Sequence, residues 1–181
     1  GAHIFSVKVT GKGGHAASPH LSVDPIVASA QIISALQSIT SRNIHPLESA
    51  VVSVSKIDAG TAFNIIPQEA TFSGTIRTFK SEVFDIVSDR FQSIVHSVAE
   101  GMGCLAEIHM ERITYPVTND PSMVGIMSDV VLQLDPQAQV VSHFQTMGSE
   151  DFSFMMQDIP GCFIMVGSAN HEKGLDYGHH H

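Results

Sequence analysis

His15 is the side chain in this sequence best placed to do chemistry. It follows Gly11-Lys12-Gly13-Gly14 and precedes Ala16-Ala17-Ser18-Pro19-His20, so a glycine loop presents one imidazole among small neighbours. Glycines allow positive φ or close backbone approach, and an imidazole is the side chain whose proton is exchangeable near neutral pH. Type alone leaves two readings open, a proton-handling group or an ordinary solvated histidine. The Gly-x-Gly-Gly spacing lacks the further glycine and the distant acid of a dinucleotide fingerprint, which argues against phosphate cradling. Asn64 stands in the connection Thr61-Ala62-Phe63-Asn64-Ile65-Ile66-Pro67, where it could bind a ligand or satisfy its own backbone. Arg77 is the one strong cation on the polar side of an alternating run, and a planar fork of donors there suits a carboxylate ligand or a neighbouring acid. Glu150-Asp151 open an apolar segment and would serve as helix-capping acids or as site residues.

These residues need elements to position them. Period-two alternation of Phe5, Val7 and Val9 predicts a strand from Ile4 to Thr10 that feeds the glycine loop. Asp24-Pro25 reads as N-cap and first residue of a helix running to about Ser41. Its apolar positions, Ile26, Val27, Ala30, Ile33 and Leu36 widened by Ile32 and Ile39, exceed what one sheet contact needs. Either the helix is well covered by its own core, or the surplus at Ile32, Leu36 and Ile39 packs on a second copy of the chain. A valine-rich strand follows from Ala50 to Ile57, and another from Glu69 to Phe79, with Ala70, Phe72, Gly74 and Ile76 on one face and Thr71, Ser73, Thr75 and Arg77 on the other. Ser81 is expected to cap a helix over Glu82 to Glu100, with Val83, Val87, Phe91, Ile94 and Val98 at helical spacing, before a strand from Cys104 to about Tyr115. The order β-α-β-β-α-β predicts a two-layer α+β domain, a four-stranded antiparallel sheet with two helices on one face, over residues 1–115. Over residues 116–181 the pattern predicts an incomplete α/β segment. It comprises a helix from Ser122 to Leu134, a short strand from Gln139 to Ser142, a helix from Gly148 to Gln157 and a buried strand from Cys162 to Val166.

Composition narrows the class. With 43% hydrophobic residues the chain can bury a core, and a net charge of −9 without any Lys/Arg cluster disfavours nucleic acid and anionic membrane surfaces. No apolar stretch reaches bilayer length and no basic-then-apolar leader opens the chain. Two cysteines, Cys104 and Cys162, are too few for a disulfide framework or a Cys-x-x-Cys metal site, which suits a cytoplasmic setting.

Several strings together resemble one family. Gly11-Lys12-Gly13-Gly14-His15-Ala16-Ala17-Ser18-Pro19-His20 with Asp24-Pro25 behind it, Asn64-Ile65-Ile66-Pro67, Gly74-Thr75-Ile76-Arg77-Thr78 and Gly148-Ser149-Glu150-Asp151-Phe152 are similar to the metal-dependent amidohydrolases and peptidases that include hippurate hydrolase, aminoacylase and the indole-acetyl-amino-acid hydrolases. The resemblance implies that residues 1–115 are a lid and dimerisation domain and that residues 116–181 are the rear part of a catalytic domain. It implies hydrolysis of N-acyl amino acids or similar small substrates by a homodimer using two divalent metal ions, zinc or manganese, most of whose ligands would precede position 1. His15 would stabilise the tetrahedral oxyanion, in its own or the partner subunit's site. Asn64 and Arg77 would hold the substrate carboxylate, and Glu150, in a loop that would lie beside the metal site, would be a further substrate-binding residue. His180, within Tyr177-Gly178-His179-His180-His181, would be the last metal ligand, although the histidine triplet also reads as the remnant of a purification tag. The competing expectation is a non-catalytic α+β dimerisation module.

Overall fold

The computed structural model describes residues 1–167, 169 and 171–174. Its sheet has four strands, β1 (Ala2–Thr10), β3 (Ala50–Ala59), β5 (Glu69–Thr78) and β6 (Leu105–Thr114), and a two-stranded ladder joins β2 (Gly14–His15) to β4 (Ile65–Ile66). The large sheet is antiparallel in the order β3-β5-β1-β6, so each of its crossovers skips one strand, and the crossovers carry the helices α1 (Pro25–Ser38) and α2 (Ser81–Gly101). This is the α+β architecture expected from the sequence.

Burial follows the alternation residue by residue. Phe5, Val7 and Val9 of β1 and Phe72 and Ile76 of β5 face the helices and are buried. Thr71, Ser73, Thr75 and Arg77 take the other face, which stays partly open to solvent. On α2, Val83, Val87, Phe91, Val95 and Ala99 complete the core, while Ile94 and Val98 pack at its margin. Removing a ring such as that of Phe91 would cost about 3–5 kcal/mol, because so dense a core closes a cavity only in part. Gly74 takes the place of a core side chain for a steric reason. A Cβ there would lie 1.8 Å from the Ser53 carbonyl oxygen and 2.8 Å from the Phe5 ring, beside the register shift between Val54 and Lys56.

Two expectations about the helices change. Asp24 does cap α1, its Oδ1 accepting from the Ile26 and Val27 amides. However, Ile32, Leu36 and Ile39 are each 0% exposed, so they are not a surface for a second copy. The broad apolar face is used twice, against the sheet and against α2, and the last turn widens into a π-helix over Ile39–Asn43 that keeps Ile39 inward. Ile26 and Val27, expected on the core face, are exposed at 40% and 46%, and Ala30 is exposed with them. Ser81 is the first residue of α2; Lys80 occupies the cap position and makes no side-chain capping bond.

After β6 come α3 (Pro121–Leu134), capped by Asp120, and the single turn α4 (Phe152–Met155). The strands expected at Gln139 to Ser142 and Cys162 to Val166 do not form, and Ile164, Met165 and Val166 are exposed. An extended apolar segment becomes a strand only beside another strand, and the large sheet ends at β6 on this side. Phe163 is held instead by Asn119, whose Nδ2 donates to the Phe163 carbonyl and whose Oδ1 accepts from its amide, both at 2.9 Å.

At the Ala2 end of β1, His3 is buried and stacks on Phe84 with ring centroids 3.5 Å apart, and its Nδ1 has no hydrogen-bond partner among the described residues. Burial, reinforced by the Arg112 guanidinium and only weakly opposed by Asp85, lowers its pKa from the ordinary 6.5 to about 4. The folded chain therefore binds this proton less well than the unfolded one, so stability is full above about pH 6.5 and falls as pH drops toward 4. Urea unfolding should lose about 2–3 kcal/mol across that window, and His3→Phe, which keeps a stacked ring, should remove most of that slope.

Candidate functional site

Backbone pairing positions His15. β2 pairs with β4 so that Gly14 faces Ile66 and His15 faces Ile65, and the Ala16 amide donates to the Asn64 carbonyl at 3.0 Å. His15 and Asn64 are thereby brought side by side, both exposed. The glycines permit this approach, since a Cβ on Gly13 would stand 2.9 Å from the Ile66 carbonyl oxygen and one on Gly11 2.2 Å from that of Val23. Gln68 completes the brace. Its Oε1 accepts from the Gly13 amide at 3.1 Å and its Nε2 donates to the Gly11 carbonyl at 2.8 Å.

The imidazole is oriented as well. His15 Nδ1 accepts from the Ala17 amide at 3.1 Å, which assigns the proton of the neutral ring to Nε2. A backbone amide on one nitrogen thus leaves the other as the donor of this exposed ring.

Arg77 lies elsewhere. Thr10 pairs with Glu69 at one end of the β1–β5 ladder and Ala2 pairs with Arg77 at the other. Eight steps along β5, at about 3.3 Å each, separate the two ends by ~26 Å. The three expected ligand contacts, His15, Asn64 and Arg77, therefore do not meet within one chain. Arg77 Nη1 donates to the Met147 carbonyl at 2.9 Å, and no acid pairs with the guanidinium among the described residues. That contact draws in the loop containing Glu150, which is exposed and whose carbonyl accepts from Ser153. Asp151 stands at the cap position of α4 without a side-chain capping bond. The same end of the sheet is tied to the later segment by the Tyr115 amide, which donates to Ser153 Oγ at 3.2 Å, and by the edge-on Tyr115–Phe154 pair.

No three His, Cys, Asp or Glu side chains among the described residues are arranged to hold a metal ion, so this part of the chain does not itself fit the expected metal pair. His180 lies outside the described residues. Both cysteines are free, and burial raises the Cys104 thiol above its ordinary pKa. Among the described residues no helix is long and apolar enough to cross a membrane.

A glycine-braced histidine and asparagine at one end of a split β-α-β sheet, and an arginine without an acidic partner among the described residues at the other, are carried by the fold of a peptidase dimerisation domain. The family described as the peptidase dimerisation domain of the M20 group matches residues 1–102, and the chain belongs to that family. N-acetylcysteine deacetylase of Bacillus subtilis is 39% identical over 176 residues, covering 97% of this chain and 45% of the relative. IAA-amino acid hydrolase ILR1-like 2 of Arabidopsis thaliana is 36% identical over 183 residues, covering 99% of this chain and 41% of the relative. Among solved structures, a Bacillus subtilis protein described as a dinuclear metal binding peptidase from the M20 family superposes with a TM-score of 0.70 at 32% identity, covering 88% of this chain and 38% of the other. The chain spans less than half the length of these relatives.

Gln68 and Met147 were not legible as site-supporting residues. A glutamine after a proline has no distinguishing pattern, and a backbone carbonyl has none at all. Gln68→Ala should loosen the His15 loop by about 1–1.5 kcal/mol, read as roughly five- to tenfold faster hydrogen exchange at the Gly13 and Ala16 amides with little change in global unfolding.

Proposed function

We propose that the protein containing this chain is a dinuclear-metal amidohydrolase that cleaves N-acyl amino acids, and that this segment supplies its lid and dimer contacts over residues 1–115 and part of its catalytic domain over residues 116–181. The observation that carries the reading is the orientation of His15. A donor with a fixed tautomer, on a loop braced by backbone bonds, suits an oxyanion developing on a scissile carbonyl. The two metal ions, zinc or manganese, would be held by other parts of the protein with His180 as a late ligand, and would activate water and polarise the carbonyl. Glu150, in a loop beside them, would bind substrate. The names of the relatives support N-acyl amino acids as substrates, and two free cysteines fit a cytoplasmic location.

The ~26 Å of β5 between the Arg77 end of the sheet and the end that carries the His15–Asn64 loops points to a site completed by two subunits. β3 is an edge strand with Val51 and Ile57 exposed, and Ile26 and Val27 are exposed on α1. A two-fold pairing of β3 with its copy runs antiparallel, since a two-fold axis reverses the strand direction. The Ala59 end of one β3, where β4 and Asn64 follow, then lies beside the Ala50 end of the other, which pairs with Thr78 next to Arg77. In this arrangement His15 and Asn64 of one protomer serve the site of the other, and Arg77 holds the substrate carboxylate in its own.

Two outcomes test the proposal. The full-length protein with manganese or zinc should hydrolyse N-acyl amino acids such as hippurate, whereas residues 1–181 alone should not; turnover by the segment would overturn the division of labour. In the full-length protein, His15→Ala should lower kcat by 10²–10³ with little change in KM, a loss of roughly 3 kcal/mol of transition-state stabilisation. Arg77→Ala should chiefly raise KM for substrates with a free carboxylate and spare amide-capped analogues.

A further inference from the structure

Phe63 occupies the tip of the turn between β3 and β4 and is 102% exposed, the most exposed large apolar side chain among the described residues. An exposed aromatic ring on a mobile loop would need no explanation, but this turn is held in place. The Ile65 amide donates back to the Ala62 carbonyl at 3.4 Å, the Asn64 carbonyl accepts from the Ala16 amide, and the β2–β4 ladder follows at once. The ring therefore projects from the same braced unit that fixes His15 and Asn64. Ile65, which faces His15 in the ladder, is also 55% exposed, so Asn64 is flanked on both sides by apolar side chains open to solvent.

We infer that Phe63 is a specificity-determining residue that packs against an apolar group of the substrate in the site served by His15 and Asn64. The inference rests on the function proposed above and adds to it. The polar partners at this tip orient the substrate, and the ring rewards a substituent large and apolar enough to cover it. An apolar contact of this kind favours larger apolar groups by fold-changes of about 10 to 200 per group removed. The apolar group could be the acyl chain or the amino-acid side chain, and the two sources are separable by experiment.

The test uses full-length dimeric protein carrying Phe63→Ala or Phe63→Leu. One arm varies the acyl group, acetyl against benzoyl, on a fixed amino acid; the other varies the amino acid, glycine against leucine or phenylalanine, under a fixed acetyl group. Phe63→Ala should lower kcat/KM about tenfold or more for the bulky member of one arm, leave acetylglycine within about twofold, and be partly rescued by Phe63→Leu. The affected arm identifies which substituent meets the ring. A loss equal across all substrates, or no loss for any, would overturn the inference, as would dissociation of the Phe63→Ala dimer in sedimentation, which would make the ring a subunit contact. His15→Ala run in parallel separates the two claims: unchanged kcat there removes the proposed function, whereas a lowered kcat with no substrate dependence at Phe63 removes only this inference. Absence of hydrolysis by the full-length protein would end both.

Discussion

The placement of every candidate site residue in this dimerisation domain depends on β1 being hydrogen-bonded along both sides, to β5 and to β6. A strand paired on both edges cannot slide, because a shift of one residue would turn Phe5, Val7 and Val9 out of the core and expose the whole apolar face. Fixed register in turn fixes which residues share an end of the sheet. The glycine loop leaves β1 where β5 begins, so His15 meets the chain that has just passed through Asn64, and Arg77 is carried to the far end. A separation that looks unproductive in one chain is a direct result of antiparallel pairing, and the two-fold partner proposed above would reverse it.

The local elements were legible because their signals are short-range. Alternation in β1, β5 and β6, the Asp24-Pro25 helix start and the helical spacing of α2 each depend on a few neighbouring residues and the face they share. The family was legible from strings such as Gly13-Gly14-His15 and Asn64-Ile65-Ile66-Pro67. The face of α1 was less so: periodicity gives the width of an apolar stripe but leaves open how many neighbours use it, and only the packing of α1 between sheet and α2 resolves Ile32, Leu36 and Ile39 as core. The segment after Pro116 was read least well. Val140, Val141 and Ile164 have the composition of strands, but a strand is a relation between two segments, and a sequence pattern cannot supply the second.

The supports of the site divide by the same logic. Glycines announce close approach, and Gly11 and Gly13 are indeed where a Cβ would collide with a carbonyl. Gln68 and Met147 act through an amide side chain and a main-chain oxygen, groups that occur at every polar stretch and become informative only when their partners, 55 and 70 residues away, are known.

The Asn119 clamp has a consequence for the chemical lifetime of the fold. Its carboxamide does the work of one residue in a strand, donating to and accepting from Phe163 at the same time. Hydrolysis of that amide to a carboxylate, the slow spontaneous ageing reaction of asparagine, would keep the shape but replace the donor with an oxygen facing the Phe163 carbonyl. Two acceptors would then confront each other where a paired bond had been, and a group lacking its donor costs more than the bond it lost. The segment that follows Gly161 would come undone at one atom.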